Sequence, residues 1–208
     1  MIAIVDYGLG NIQAIANIYK RLNIPAGIVA SAGELAQAEK IILPGVGAFD
    51  WAMARLERSG MRGLLDELVL QKKRPVLGIC VGMQMMARGS AEGVLPGLGW
   101  IDADVLKFDE ASFTQKTHLP HMGWNDVAPR QGDGLFRGLE SGARFYFLHS
   151  YYFAPRRDAD VLAVTDYNGA FASGVRSGNV LGVQFHPEKS HRAGLQLLAN
   201  FVAWNGRV

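Results

Sequence analysis

The chain has a single cysteine, Cys80, among its 208 residues. No internal disulfide is open to it, which excludes a disulfide-stapled secreted framework. Surplus charge is nearly absent too: 21 Lys and Arg against 19 Asp and Glu leave a formal net charge of +2, too little to point to a nucleic-acid partner. The densest basic run, Lys72-Lys73-Arg74, lies between a helical stretch and a strand and reads as a solvated helix end. No apolar run approaches the roughly 18 residues needed to span a bilayer, so no membrane association is expected. The opening Met1-Ile2-Ala3-Ile4-Val5-Asp6 lacks a basic n-region and reaches an acidic residue too early for a signal peptide. A soluble, cytoplasmic protein is the expectation. With no low-complexity segment, internal repeat or linker, residues 1–208 read as one domain with a large core.

What is present alternates. Ile2 to Val5 suits a buried strand, and Ile12, Ile15, Ala16, Tyr19 and Leu22 recur at helical spacing within Asn11 to Leu22. Ile28-Val29 reads as a strand, Glu34 to Glu39 as a short helix and Lys40 to Leu43 as a strand that Pro44-Gly45-Val46-Gly47 breaks. Helices over Phe49 to Glu57 and Met61 to Leu70 precede a strand that ends at Cys80. Such alternation implies a parallel sheet covered on both faces. After Gly93 the texture changes: Val105 to Phe108, Arg144 to Leu148, Val161 to Thr165, Phe171 to Val175 and Val180 to Phe185 look like strands with little helix between them. A helix from Ser190 to Trp204 closes the chain. The expected fold class is α/β, an open, mostly parallel twisted sheet with helices on both faces and an antiparallel addition.

The lone cysteine sits in Gly78-Ile79-Cys80-Val81-Gly82, after the apolar Pro75-Val76-Leu77 and before Met83-Gln84-Met85-Met86, which reads as the start of a helix. Strand, sharp turn with a nucleophile at its tip, and helix make a nucleophile elbow. The glycines let backbone turn tightly and let strand and helix approach closely. A helix N-terminus behind the sulfur would favour thiolate. A thiolate needs a base, and the base needs an orienting group. Of five histidines, His186 ends a strand and precedes Pro187-Glu188. Proline pushes His186 into extended backbone, where residues two apart point the same way, so Glu188 can hold one imidazole nitrogen and leave the other for Cys80. Both motifs fall at C-terminal strand ends, where open α/β sheets place their sites. The Val81 amide, and a peptide of Gly45-Val46-Gly47, are natural donors to a tetrahedral oxyanion.

Other motifs have plainer readings. His118 and His121 are three apart, but Pro120 lies between them and no acidic or thiol cluster completes a metal site, so no metal is expected. Gly8-Leu9-Gly10 follows the first strand, yet Gln13 stands at the third position of a dinucleotide loop and no acidic residue ends the second strand. It reads as a tight turn, and no cofactor is expected. Met83, Met85 and Met86 read as core filling.

Gly78-Ile79-Cys80-Val81-Gly82-Met83-Gln84, with Phe185-His186-Pro187-Glu188-Lys189-Ser190, closely resembles the triad (class I) glutamine amidotransferases. Four further segments resemble the branch that serves imidazole glycerol phosphate synthases in histidine biosynthesis: Asp6 to Asn11, Pro44 to Phe49, Pro120 to Asn125 and Phe147 to Tyr152. The resemblance implies a flavodoxin-like fold and makes Cys80 the nucleophile, His186 the acid/base and Glu188 its orienter. It assigns the oxyanion positions to Val81 and the Gly45-Val46-Gly47 peptides, and glutamine binding to Gly47, Gln84, Ser150 and Tyr151, with Glu92 a further candidate. It also implies a heterodimer with a (β/α)8-barrel cyclase that receives ammonia through a channel, with Tyr146 and Lys189 facing that partner. Three alternatives stay open. A cysteine hydrolase of the α/β-hydrolase type would run nucleophile, acid, histidine, the reverse of His186 before Glu188. The amidotransferase subunit of another synthase would share the triad with a different oxyanion loop. A non-catalytic subunit would be expected to lose a triad residue.

Overall fold

A computed structural model of the chain describes residues 1–114, 117–130 and 134–205. The strands are β1 (Ile2–Val5), β2 (Ala26–Val29), β3 (Lys40–Gly45), β4 (Val76–Cys80), β5 (Ala103–Lys107), β6 (His121–Asp126), β7 (Ala128–Pro129), β8 (Arg144–His149), β9 (Tyr151–Pro155), β10 (Val161–Asp166), β11 (Ala170–Ser177) and β12 (Val180–Val183). The α-helices are α1 (Ile12–Arg21), α2 (Ala32–Leu35), α3 (Phe49–Arg58), α4 (Arg62–Asp66), α5 (Val81–Gln84) and α6 (His191–Ala203).

Strands β2-β1-β3-β4-β12 pair in parallel in that order, and β11, β10 and β7 continue the sheet antiparallel, with β9 and β5 branching from β11. Every residue of β1, β4 and β12 is buried, as continuous apolar runs in a doubly covered parallel sheet should be. Helix α1 packs on β1, β2 and α6, and the buried Tyr19 hydroxyl donates to the Leu198 carbonyl across the helix pair. A separate antiparallel ribbon, β6 with β8, stands beside the sheet. The α/β architecture with an antiparallel addition is as expected.

Four expectations need correction. β3 runs through Pro44 to Gly45, because Pro44 and Gly45 still lie in register against Ile79 and Cys80. The second helix spans Ala32–Leu35, earlier than expected, because Ser31 caps it and Glu34 reaches back to Ser31 and the Ala30 amide. The helix expected through Leu70 leaves α geometry after Asp66 and finishes as a π turn over Glu67–Gln71. The helix behind the cysteine is a single turn, Val81–Gln84, too short for a macrodipole to act strongly on the sulfur.

Candidate active site

Three adjacent parallel strands deliver the reactive groups. Gly45 ends β3 and lies opposite Cys80, which ends β4; β12 flanks β4 on the other side, and the chain leaving it carries His186. Cys80 is almost fully buried and has φ 56° and ψ −113°, a conformation that costs a side-chain-bearing residue of order 1–3 kcal/mol. Close backbone packing enforces the turn. A Cβ on Gly78 would stand 2.7 Å from the Met83 nitrogen, and one on Gly82 would stand 1.9 Å from the Leu43 oxygen. Glycine is needed at 78 and 82 for approach, as the elbow pattern implies.

His186 Nδ1 lies 2.8 Å from Glu188 Oε1, and both side chains are buried. The other ring nitrogen is left for Cys80, and the two residues line the same cavity. Burial opposes a charged imidazole, but the hydrogen bonds and charges of Cys80 and Glu188 outweigh it and push His186 up to about 10. Burial likewise opposes the Glu188 carboxylate, and His186 and Asn11 hold it below the usual carboxylate range nonetheless. The resting proton therefore sits on the imidazole, placed for delivery to a leaving group. The route to this geometry differs from expectation. The strand stops at Val183, His186 is pinned by its amide to the Tyr146 carbonyl at 2.9 Å, and Pro187–Lys189 form a 3-10 turn that curls Glu188 back under the ring.

A cavity of about 490 Å³ opens over the sulfur, within the range of small-molecule sites. Val46, Gly47, Val81, Gln84, Glu92, Ser150, Tyr151 and Lys189 line it together with Cys80 and His186. Gly47 has φ +90°, so its peptides reach orientations that L residues rarely adopt. Gly45 is not a lining residue. It is packed under the elbow, where a Cβ would meet the Gly82 nitrogen at 2.5 Å. Tyr146 stands outside the cavity lining, with the Lys189 ammonium 5.6 Å from its ring centre. Glu92 has a structural task as well, accepting the Phe49 amide at 2.8 Å where α3 begins.

The sequence reading missed several residues that the fold brings here. Asn11 lines the cavity and donates to Glu188 Oε1 at 2.7 Å. Gln184, fully buried, donates to Cys80 Sγ at 3.8 Å. His149 Nδ1 lies 2.8 Å from the Tyr151 carbonyl, which can only accept, so Nδ1 carries the proton. His149 Nε2 then accepts from His121 Nδ1 at 3.0 Å, and His121 Nε2 accepts from Asn125 at 3.2 Å. Burial pushes His149 down to about 3 and His121 down to about 4, so both are neutral links. Among the described residues no cluster of three or more His, Cys, Asp or Glu is placed to hold a metal ion, and no helix is long and apolar enough to cross a membrane.

Known proteins resemble this chain over nearly its whole length. The family model described as glutamine amidotransferase class-I matches residues 3–204. The chain is 60% identical to the imidazole glycerol phosphate synthase subunit HisH of Bdellovibrio bacteriovorus, covering 97% of this chain and 98% of that one. It is 49% identical to the same-named subunit of Leptospira interrogans, over 98% of this chain and 100% of that one. Among solved structures, a chain of PurLQS from Thermotoga maritima superposes with a TM-score of 0.70 at 19% identity, covering 97% of each chain, a likeness of fold.

Proposed function

This chain belongs to the class I glutamine amidotransferases, in the branch of imidazole glycerol phosphate synthase subunits named HisH, and we propose that it hydrolyses L-glutamine on Cys80 and passes the ammonia to a cyclase partner. The observation that carries the assignment of roles is the buried line Cys80, His186, Glu188 at adjacent strand ends.

Cys80 Sγ attacks the side-chain carbonyl carbon of glutamine. The oxyanion that forms is received by the Val81 amide and by a peptide of Gly45-Val46-Gly47, each such donor being worth about 2.7–4 kcal/mol. As the C–N bond breaks, the His186 imidazolium gives its proton to the departing nitrogen, leaving a glutamyl thioester and free ammonia. His186, now neutral, takes a proton from water as water attacks the thioester; the C–S bond breaks and glutamate leaves. Glu188 holds the imidazole in one tautomer throughout. Gln84, Ser150 and Tyr151, with Gly47 backbone, bind the glutamine, and Glu92 closes the same wall.

Ammonia in neutral water is mostly protonated and unreactive, so its use requires a closed route to the acceptor. The reading therefore includes a (β/α)8-barrel cyclase as partner in a heterodimer, with Tyr146 and Lys189 on the side facing it. Flipping of the Val46 peptide, permitted by the glycines around it, would keep hydrolysis idle until the cyclase site is filled. The test is a reconstituted complex. Glutamine hydrolysis should be slow for this chain alone and rise strongly with the cyclase and its nucleotide ligand. Cys80→Ala should abolish glutamine-dependent synthesis and spare ammonia-dependent synthesis. Failure of 6-diazo-5-oxo-norleucine to label Cys80 in the active complex would sink the thioester route.

A further inference from the structure

Two glutamines link the nucleophile to the wall of the cavity. Gln184 Nε2 donates to Cys80 Sγ at 3.8 Å, while Gln184 Oε1 accepts from Gln84 Nε2 at 3.0 Å. Gln84 Nε2 also donates to the Tyr151 carbonyl at 3.1 Å, the same oxygen that His149 holds. Each amide thereby fixes the other. If Gln184 were turned over, its oxygen would face the sulfur and its NH2 would face the NH2 of Gln84. Both hydrogens of Gln84 Nε2 are committed, so its Oε1 is the group Gln84 offers the cavity, an acceptor. Gln184 itself is buried, so its amide would be costly to bury without such partners.

We propose that Gln184 is a positioning residue for glutamine hydrolysis, holding the Cys80 sulfur for attack with one end of its amide and setting the orientation of Gln84 with the other. The proposal rests on the glutaminase reading above. Its physical content is twofold. An N–H aimed at sulfur favours the ionised thiol and restricts its rotamer. An oxygen aimed at Gln84 keeps the substrate wall presenting an acceptor rather than a donor. One side chain thus registers nucleophile against substrate. The Leu148 carbonyl, 3.9 Å from Sγ, lies on the path that an unheld thiol S–H would take.

The other titratable groups around the sulfur are His186 with Glu188, from the turn after β12, Tyr7, from the loop after β1, and Glu92, His149, Tyr151 and Lys189 on the cavity wall. None is altered by changing Gln184, and Cys80 is the sole thiol, so alkylation reads one group. The experiment is the rate of iodoacetamide alkylation at about pH 7 in the full chain, for wild type and Gln184→Met, which keeps volume and removes both polar ends. The expected result is alkylation slowed by about 3–10-fold in the variant. In the cyclase complex, KM for glutamine should rise about 5–10-fold, a split from kcat that a merely structural loss would not give. An unchanged alkylation rate with unchanged KM overturns the proposal. If the Met variant does not fold, the wild-type chain decides: the Gln184 side-chain NH2 signals in NMR should move with Cys80 ionisation and stop moving in Cys80→Ala. Signals indifferent to pH in both would overturn it. Alkylation of the free chain is independent of glutamine turnover by the wild-type complex, so failure of this assignment and failure of the glutaminase reading are told apart.

Discussion

Asn11 Nδ2 donates to Glu188 Oε1 at 2.7 Å, so the loop before the first helix holds the last member of the triad. The same oxygen faces His186 Nδ1 at 2.8 Å, and two donors converge on one carboxylate atom. Without Asn11, the carboxylate loses one of the interactions that keep it ionised against its burial. Asn11→Ala should lower glutamine hydrolysis by about tenfold, the scale of one hydrogen bond to a charged group. Asn11→Asp should do worse, because it sets a second negative charge against Glu188. Steady-state assays of the cyclase complex check both, and an Asp variant more active than Ala would contradict the role.

The strain at Cys80 separates two inactive variants. Alanine at position 80 keeps a Cβ at φ 56°, ψ −113°, and glycine does not. Relief of a conformation costing about 1–3 kcal/mol should outweigh the roughly 0.5–1 kcal/mol of extra chain entropy that glycine loses on folding. Cys80→Gly should therefore be more stable than Cys80→Ala by about 1 kcal/mol in urea unfolding, with neither hydrolysing glutamine.

Lys40 closes the end of the last helix. Its ammonium, at the start of β3, donates to the carbonyls of Phe201 at 3.0 Å and Val202 at 2.5 Å, and also to that of Trp204. A cation there satisfies carbonyls left over at a helix C-terminus and complements the helix dipole. Lys40→Met keeps the aliphatic stem and leaves those oxygens without it. The expected cost is about 1–2 kcal/mol in unfolding free energy, with glutamine hydrolysis within twofold of wild type.

The parallel half of the sheet was legible because its strands are continuous apolar runs separated by helical periods: β1, β4 and β12 appear in the sequence nearly where they fold. β6 and β9 were not. In His121–Asp126 the alternation is inverted, with the apolar Met122 and Trp124 exposed, and Gly123 at φ +127° and the lack of β-branched residues leave no strand signal. Its pairing with β8 is a tertiary fact. In the site, the cysteine elbow and His186 with Glu188 carried local signals. Gln184 stood two residues before His186 with no spacing rule to single it out. Asn11 sits in a loop whose only signal in the sequence is a family pattern. His121 donates to His149, a relation that its spacing from His118 does not encode. Local pattern finds groups that need a special backbone; it does not find those whose partner comes from another strand.

That histidine pair gives the chain an acid-sensitive core. Burial lowers His149 to about 3 and His121 to about 4, both below the roughly 6.5 of an unfolded histidine. Between those values the unfolded chain binds protons that the folded chain refuses. Stability is then fully present above pH 6.5 and is lost as pH falls, by up to about 1.4 kcal/mol per pH unit for each histidine. Carboxylates held low, such as Glu188 and Asp104, act below about pH 4.5, so the interval from 6.5 to 5 belongs to the histidines. His186, raised to about 10, changes on the alkaline side and stays out of that interval. Urea unfolding of the wild type should therefore show a midpoint that falls steadily from pH 6.5 to pH 5. His121→Phe, whose ring can occupy the stack between Phe147 and Tyr167, should be less stable at pH 7 because His149 Nε2 loses its donor. Its midpoint should fall about half as steeply with acid, since one of the two proton-refusing groups is gone. A slope unchanged in that variant would mean that His121 is already protonated in the folded chain, with Nε2 no longer an acceptor for Asn125.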